Sequence, residues 1–356
     1  MAYTDIDKPT DYFNTILWTG DNTNRTISGV GFQPDWIWWK QRNGTDDHRL
    51  LDSVRGEGIA SYKLLFSSGN YAEFDGSDNG GSQGNINAIT SDGFSGIQGT
   101  VGWNNWNGTG LNYVGWNWLA GGTASSNTDG SITSTVSANT TSGFSIVSYT
   151  GTGSNATVGH GLSSVPKMII VKDRSATNNW TVYHVGVGND KDILLDVTNA
   201  ENTSTAWNNT TPTSSVFSIG TLGNVNTSSN NYIAYCFAEK KGYSKFGSYT
   251  GNGNSDGTFV YTGFKPAWVL IKPSSTTGSW YLFDSTRNSF NVTNSRLKVD
   301  GNEAESSNID TLDIISNGFK LRDTNAAWNG SGTTYIYMCF AESPFTTSTG
   351  IPTTAR

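Results

Sequence analysis

The chain has 356 residues, of which 42 are glycine, 14% are charged and 12% are aromatic, with a formal net charge of −7 and two cysteines. An acidic chain without a Lys/Arg run offers no electrostatic footprint for a phosphate backbone, so nucleic acid is excluded as an expected partner. No stretch approaches eighteen continuous apolar residues, and Met1 to Asp7 carry neither a basic nor an apolar segment, which predicts no membrane insertion, no secretory signal and synthesis in a cytoplasm.

Glycine, Thr, Ser and Asn with many aromatic residues suit strands and turns, and no amphipathic helix of three turns stands out. In chain order, residues 1–11 form an unrepeated polar arm, suited to anchoring on a neighbouring subunit. An aromatic-Thr-Gly turn follows at Trp18-Thr19-Gly20, and then a nineteen-residue block from Pro34 to Asp52: a proline, a mostly apolar run, Lys40, a polar loop and a second apolar run. After Asp92-Gly93-Phe94 comes a closing run from Tyr113 to Ala120. The same series returns as Tyr149-Thr150-Gly151, Pro166 to His184, Ser215-Val216-Phe217 and Tyr232 to Glu239. It returns again as Tyr249-Thr250-Gly251, Pro266 to Asp284, Asn317-Gly318-Phe319 and Tyr335 to Glu342.

Recurrence of one pattern predicts an internal triplication of one folding unit. The expected fold is all-β: three tandem antiparallel β-sandwich domains of jelly-roll or related kind. Their expected bounds are 12–122, 123–241 and 242–345, with a C-terminal tail at 346–356. The runs Met168 to Val171 and Trp268 to Ile271 are apolar at every position, so their strands should be buried on both faces. The low-complexity stretch Asn127 to Ser142 reads as a linker or as an edge strand opening the second repeat.

Repetition also separates scaffold from candidate chemistry. Cys236 and Cys339 hold one position in two repeats, where the first has Asn117, so they are read as buried small hydrophobes, too far apart for the roughly 7 Å limit on bridged Cα atoms. Asp52 and Arg55 recur as Asp284 and Arg287, which points to a structural ion pair. His48, Trp180 and Trp280 share a packing position. Trp106-Asn107-Gly108 matches Trp328-Asn329-Gly330, and Asn-Gly marks a turn. The glycine pattern Gly151-Thr152-Gly153 is followed by no helix and is likewise a turn.

The unshared parts hold the site candidates. Residues Lys63 to Gly110 carry the extra length of the first repeat and should form long loops. Within them Asp75, Ser77 and Asn79 alternate as oxygen ligands before Gly80, in the manner of a calcium loop, but Ile86 stands where a bidentate Glu belongs. Trp103 with Asn104 and Asn105 could stack on a sugar ring and bond its hydroxyls. His160, unmatched elsewhere, is expected as a solvated turn residue. No Ser-His-Asp order, HExxH or CxxC pattern appears, and three histidines leave little material for a general base or zinc, so no catalytic residues, cofactor or enzyme activity are expected.

Several phrases carry a family resemblance: Met1 to Pro9 with Tyr12-Phe13, Gly31 to Trp38, His48 to Gly56, Gly143 to Gly151 and Gly159 to Leu162. They resemble virion structural proteins of tailed bacteriophages, particularly those infecting marine cyanobacteria and other marine bacteria. The resemblance implies a particle component built of lectin-like sandwiches, on the capsid (decoration) or the tail or fibre and in contact with other virion proteins. The triplicated scaffold without a shared site adds the expectation that it is non-enzymatic and homo-oligomeric. The resemblance supplies no active-site residues. A carbohydrate-binding adhesin that recognises host surface polysaccharide is the alternative, resting on Trp103 and the long loops. A polysaccharide depolymerase stands third and would need two carboxylates facing across a cleft.

Overall fold

β-branched and aromatic side chains fill a pleated surface well, and the chain uses them at short intervals between glycine- and asparagine-rich turns. The computed structural model describes residues 4–56, 63–75, 84–99 and 106–353. After a 3-10 turn at Pro9–Asp11, the first third forms β1 (Phe13–Thr19), β2 (Arg25–Ser28), β3 (Trp36–Gln41), β4 (Arg49–Asp52), β5 (Lys63–Phe66), β6 (Phe74–Asp75), β7 (Asn85–Thr90), β8 (Gly93–Ile97) and β9 (Asn112–Trp118). The middle third forms β10 (Ser125–Asn127), β11 (Ser134–Asn139), β12 (Phe144–Thr150), β13 (Ala156–Gly159), β14 (Pro166–Asp173), β15 (Thr181–His184), β16 (Lys191–Leu194), β17 (Asn202–Thr203), β18 (Val216–Ile219), the one-turn helix α1 (Gly223–Asn226) and β19 (Asn231–Ala238). The last third forms β20 (Ser244–Thr250), β21 (Phe259–Tyr261), β22 (Phe264–Pro273), β23 (Tyr281–Asp284), β24 (Leu297–Lys298), β25 (Leu312–Ile315), β26 (Gly318–Leu321) and β27 (Thr334–Pro344).

These strands make three large sheets, ordered β1-β9-β3-β4-β5-β6, β10-β11-β12-β19-β14-β15-β16-β17 and β20-β27-β22-β23-β24. Each faces a small sheet from its own third of the chain: β2-β8-β7, β13-β18 and β21-β26-β25. Pairing within the sheets is antiparallel, and its register recurs. Trp36 lies opposite Asp52 and Trp118, Met168 opposite His184 and Phe237, and Trp268 opposite Asp284 and Phe340.

Strand side chains alternate between faces, and here both faces are buried. On β3, Ile37 and Trp39 enter a core with Phe94 and Trp106 against the small sheet, while Trp36 and Trp38 point the other way. On β14, Ile169 and Val171 enter the second such core, and on β22, Val269 and Ile271 enter the third. The opposite faces of all three large sheets meet in one common core holding Trp36, Trp38, Trp116, Met168, Ile170, Tyr235, Trp268, Leu270 and Phe340. The unbroken apolar runs are thus explained by middle layers that pack on both sides. Burying a side chain such as Ile170 or Leu270 contributes about 1.5–3 kcal/mol relative to exposure. The expected sandwich character is present, and to it the structure adds this second, shared face.

The stretch expected as linker or edge strand supplies β10 and β11, which extend the second large sheet. Residues 4–11, expected as an arm reaching a neighbour, lie against their own chain. Asp5 donates its N–H to Lys241 O, Thr4 Oγ1 donates to the same carbonyl, and Ile6 is buried in the common core.

Candidate functional site

Of the residues expected to bind ligand or metal, Ser77, Asn79, Trp103, Asn104 and Asn105 lie outside the described residues, as does the side chain of Asp75, whose backbone pairs with Lys63 in β6. Among the described residues no three His, Cys, Asp or Glu side chains gather to hold a metal ion. His160 corrects its expectation as a solvated residue: it is fully buried, with Nε2 bonded to Thr213 O at 3.2 Å and Nδ1 accepting the Leu162 N–H at 3.2 Å. A histidine two residues beyond Val158 is drawn inward because both ring nitrogens find backbone partners there. Cys236 and Cys339 are free and buried, and burial raises both thiols far above their ordinary pKa.

The polar chemistry concentrates where the large sheets meet. At the seam between the first and second, Arg174 grips Glu73 with two bonds of 2.8 and 2.9 Å, and Glu73 N–H donates to Arg174 O. Arg55 reaches the same carboxylate at 3.1 Å and pairs with Asp52 at 2.5 Å, while Tyr235 from the second sheet donates to Asp52 at 2.7 Å. At the seam between the third and first sheets the arrangement returns. Arg42 grips Glu305 at 2.8 and 3.0 Å, Arg287 holds Glu305 at 2.9 Å and Asp284 at 2.5 Å, and Trp116 donates to Asp284 at 3.0 Å. The side chains of Asp52, Arg55, Asp284 and Arg287 are 0% exposed. Burial opposes the charge on Arg55 and Arg287, but Asp52, Asp284 and the glutamates outweigh it and raise both guanidinium pKa values. Burial likewise works against Glu73 and Glu305, and the arginines nevertheless hold both carboxyls below the usual range.

The remaining seam, between the second and third sheets, differs at every position of the set but the glutamate. His184 stands for the aspartate, Val187 for the first arginine, Ser274 for the second and Met338 for the aromatic donor. The glutamate survives as Glu201. It donates its N–H to Ser274 O at 2.8 Å, as its counterparts do, and pairs with Lys191 at 2.6 Å. His184 instead bonds Tyr337 O at 3.1 Å. A buried carboxylate without its arginine would be severely destabilising, so the aspartate is missing where both arginines are missing, and the retained Glu201 takes Lys191 as its cation.

Two further sets of contacts brace the sheets. Trp180 Nε1 donates to Phe66 O at 2.9 Å, Trp280 Nε1 to Leu194 O at 2.8 Å and His48 Nε2 to Lys298 O at 2.9 Å, so each large sheet hands one ring N–H to a carbonyl of the sheet before it. Lys40, Lys172 and Lys272, six residues after each proline, are fully buried and bond backbone carbonyls, among them Asn70 O for Lys172 and Thr198 O for Lys272. Burial pushes all three ammonium groups down to about 8.

The aromatic-Thr-Gly turns are also accounted for. Trp18 stacks on Tyr113, Tyr149 on Tyr232 and Tyr249 on Tyr335, with ring centroids 5.2, 5.1 and 5.0 Å apart. A Cβ on Gly20, Gly151 or Gly251 would lie 2.0–2.3 Å from a carbonyl oxygen, which fixes glycine there. Asn107, Asn226 and Asn329 each tie that turn down through their amides. Sequence reading misses Asn226, because Val225 replaces the tryptophan that marks the other two. The signal was its spacing of six residues before Tyr232. Arg42 and Arg174, each eight residues after its proline, were available by the same arithmetic.

On the surface, a cleft of about 580 Å³ is lined by Asp190, Asp192, Asn199, Asn202, Asn209 and Asn224, with Leu194 and Leu222 as apolar walls. Burial raises the Asp192 carboxyl, while Ser204 and Asn202 bond it. No helix among the described residues is long and apolar enough to cross a membrane.

Fold and seams together define an all-β protein whose buried charges join sheets to one another. The chain belongs to the family described as domain of unknown function DUF7483, whose model matches residues 8–344. No curated protein matches it.

Proposed function

We propose that the three sheet pairs are copies of one module, an internal triplication into lectin-like β-sandwiches, and that the protein is a non-enzymatic structural component of a phage particle. In this reading it is displayed on the capsid or tail, contacts other virion proteins and assembles as a homo-oligomer. The observation that carries the reading is where the ionisable groups are used. Asp52, Arg55, Asp284 and Arg287 are shut away from solvent and hold sheets together, which suits a load-resisting scaffold and leaves these recurrent acids no access to a substrate. A family match running from residue 8 to residue 344 across all three sheet pairs supports treating them as one functional unit. Mass spectrometry of purified virions tests it: the protein should be recovered as a stoichiometric particle component, and its absence from particles would sink the assignment.

A second reading, an adhesin for host surface polysaccharide, draws on the amide- and hydroxyl-lined cleft around Asp192, a chemistry suited to sugar hydroxyls. Binding of isolated host polysaccharide that survives both Asn202→Ala and Trp103→Ala would remove it. The depolymerase reading would need hydrolysis of that polysaccharide, lost on Asp192→Asn.

A further inference from the structure

β1 and β12 occupy the same place in their sheets. Phe13 lies opposite Trp118 and Phe144 opposite Phe237, and these two partners lie opposite Trp36 and Met168 in turn. Beyond that point the sheets differ. β12 carries β11 on its outer side, from Thr135 opposite Ser148 to Asn139 opposite Phe144, whereas β1 ends its sheet.

In an antiparallel ladder, successive residues direct their N–H and C=O groups alternately to the two sides. Leu119 donates to Tyr12 O and Gly20 donates to Leu111 O, so the even-numbered residues of β1 bond β9, while Phe13, Thr15 and Leu17 point their backbone groups outward. Ala238 donates to Gly143 O, which by the same parity makes Phe144, Ile146 and Ser148 the groups that β11 uses.

Beside the outer edge of β1 is a slot of about 350 Å³, walled by Phe13, Asn14 and Thr15 on one side and by Lys265, Ala267 and Ser289 on the other. The corresponding space at β12 is occupied by the chain itself. There Ala120 donates to Asp35 at 2.8 Å, and β11 lies on that turn through Gly121 N–H to Ser137 Oγ at 2.9 Å and Asn139 Nδ2 to Ala120 O at 3.3 Å. The third sheet has Ala267 at the position of Asp35, and β27 runs straight on to Pro344, so neither turn nor strand enters the slot. Thr15 Oγ1 is buried on the slot's wall without a hydrogen bond. The Thr15 N–H is covered only by its neighbour's Asn14 Oδ1 at 2.9 Å. β1 carries no charge and no proline, the usual guards of an exposed edge.

We propose that the outer edge of β1 accepts one extended strand from another polypeptide, pairing antiparallel with Phe13–Leu17 as β11 pairs with Phe144–Ser148. The incoming segment is uncharged, with small and hydroxylated side chains like Ser134 to Asn139, because the slot's own charges, Lys265 and Glu342, already pair with each other. The assignment uses the equivalence of β1 and β12 from the three-copy reading and nothing of the virion reading.

The test is binding of a fluorescent peptide with the sequence of residues 134–139 to the full-length protein, with hydrogen–deuterium exchange in its presence and absence. Saturable binding should slow exchange at Phe13, Thr15 and Leu17. Leu17→Pro removes an outward donor and no bond to β9, and Ser289→Trp, on an exposed loop, fills the slot from the opposite wall. Each should weaken binding about tenfold or more without lowering the unfolding temperature. If Leu17→Pro fails to fold, Ser289→Trp decides. No binding, binding that Ser289→Trp leaves intact, or protection away from β1 overturns the acceptor site. The three-copy reading would survive that result, since it is tested separately by the unfolding of seam variants.

Discussion

Arg55→Val tests the seams most directly, because it removes a buried charge on which both acids of one seam, Asp52 and Glu73, depend. Arg55 donates to Asp52, Glu73, the Tyr235 hydroxyl and the Leu50 and Lys63 carbonyls, and its side chain is 0% exposed. Removing one member of a buried ion network leaves the others uncompensated and costs about 3–5 kcal/mol. The unfolding temperature then reports how much of the chain unfolds together. Unfolding entropy of about 2.1 cal/mol/K per residue gives about 0.75 kcal/mol/K for all 356 residues, so a loss of about 4 kcal/mol shifts the midpoint by about 5 °C. If residues 12–122 unfolded alone, the entropy would be about 0.23 kcal/mol/K and the shift about 17 °C. Differential scanning calorimetry with urea titration measures both. The chain supplies its own rescue in the exchanged seam: Asp52→His, Arg55→Val, Arg174→Ser and Tyr235→Met together reproduce it, leaving Glu73 to Lys63 as Glu201 is left to Lys191. This quadruple variant should return to within about 1 kcal/mol of the parent, since whole networks exchange for apolar sets nearly neutrally. A negligible effect of Arg55→Val, or a quadruple variant worse than the single one, would refute the network argument. A shift near 17 °C with a second transition left behind would refute the single cooperative body.

The three histidines make stability acid-sensitive. Each accepts an N–H at Nδ1 and faces a carbonyl at Nε2, so each is held neutral, and burial lowers all three, His184 to about 4. A histidine titrating lower folded than unfolded gives its full stabilisation above pH 6.5 and loses it as pH falls toward 4. His184 alone accounts for about 3 kcal/mol over that window, and His184→Gln should flatten the urea midpoint against pH. Gly151→Ala should destabilise the protein by at least about 2 kcal/mol in the same titration, because its Cβ would sit 2.2 Å from Thr227 O. Cys236 and Cys339 should both resist a thiol reagent in the native protein and both react after denaturation, and fast labelling of either would contradict their burial.

Strand positions were legible in the sequence because the proline blocks repeat, and the all-apolar runs correctly announced burial on both faces. What covered the second face was not legible. Periodicity states that Trp36 and Met168 are buried, but it does not state that they meet in one core. The seam partners are hidden for a related reason: Glu73 and Arg174 are 101 residues apart and neither is unusual in its local context. Only the shared spacing of Arg42 and Arg174 from their prolines hinted at a role. His160 was misread because a polar residue between glycines looks like a solvated turn, and nothing local shows the Thr213 carbonyl that receives it. The calcium and sugar candidates at Asp75 to Asn79 and Trp103 to Asn105 fall almost wholly outside the described residues.

The handing of one ring N–H from each sheet to the sheet before it has a consequence for gene architecture. A donor at Trp180, Trp280 or His48 is satisfied only by a neighbour, and a wall of Trp36, Trp38, Trp116 and Trp118 is covered only by two. If the three sheet pairs are copies of one module, as proposed, a chain with one module could meet those demands only by joining two identical chains, and a chain with two would leave a vacancy. On that three-copy reading, the number of modules is set by closure, and carrying all three on one polypeptide lets each seam differ from the others, as the seam at His184, Val187 and Ser274 does.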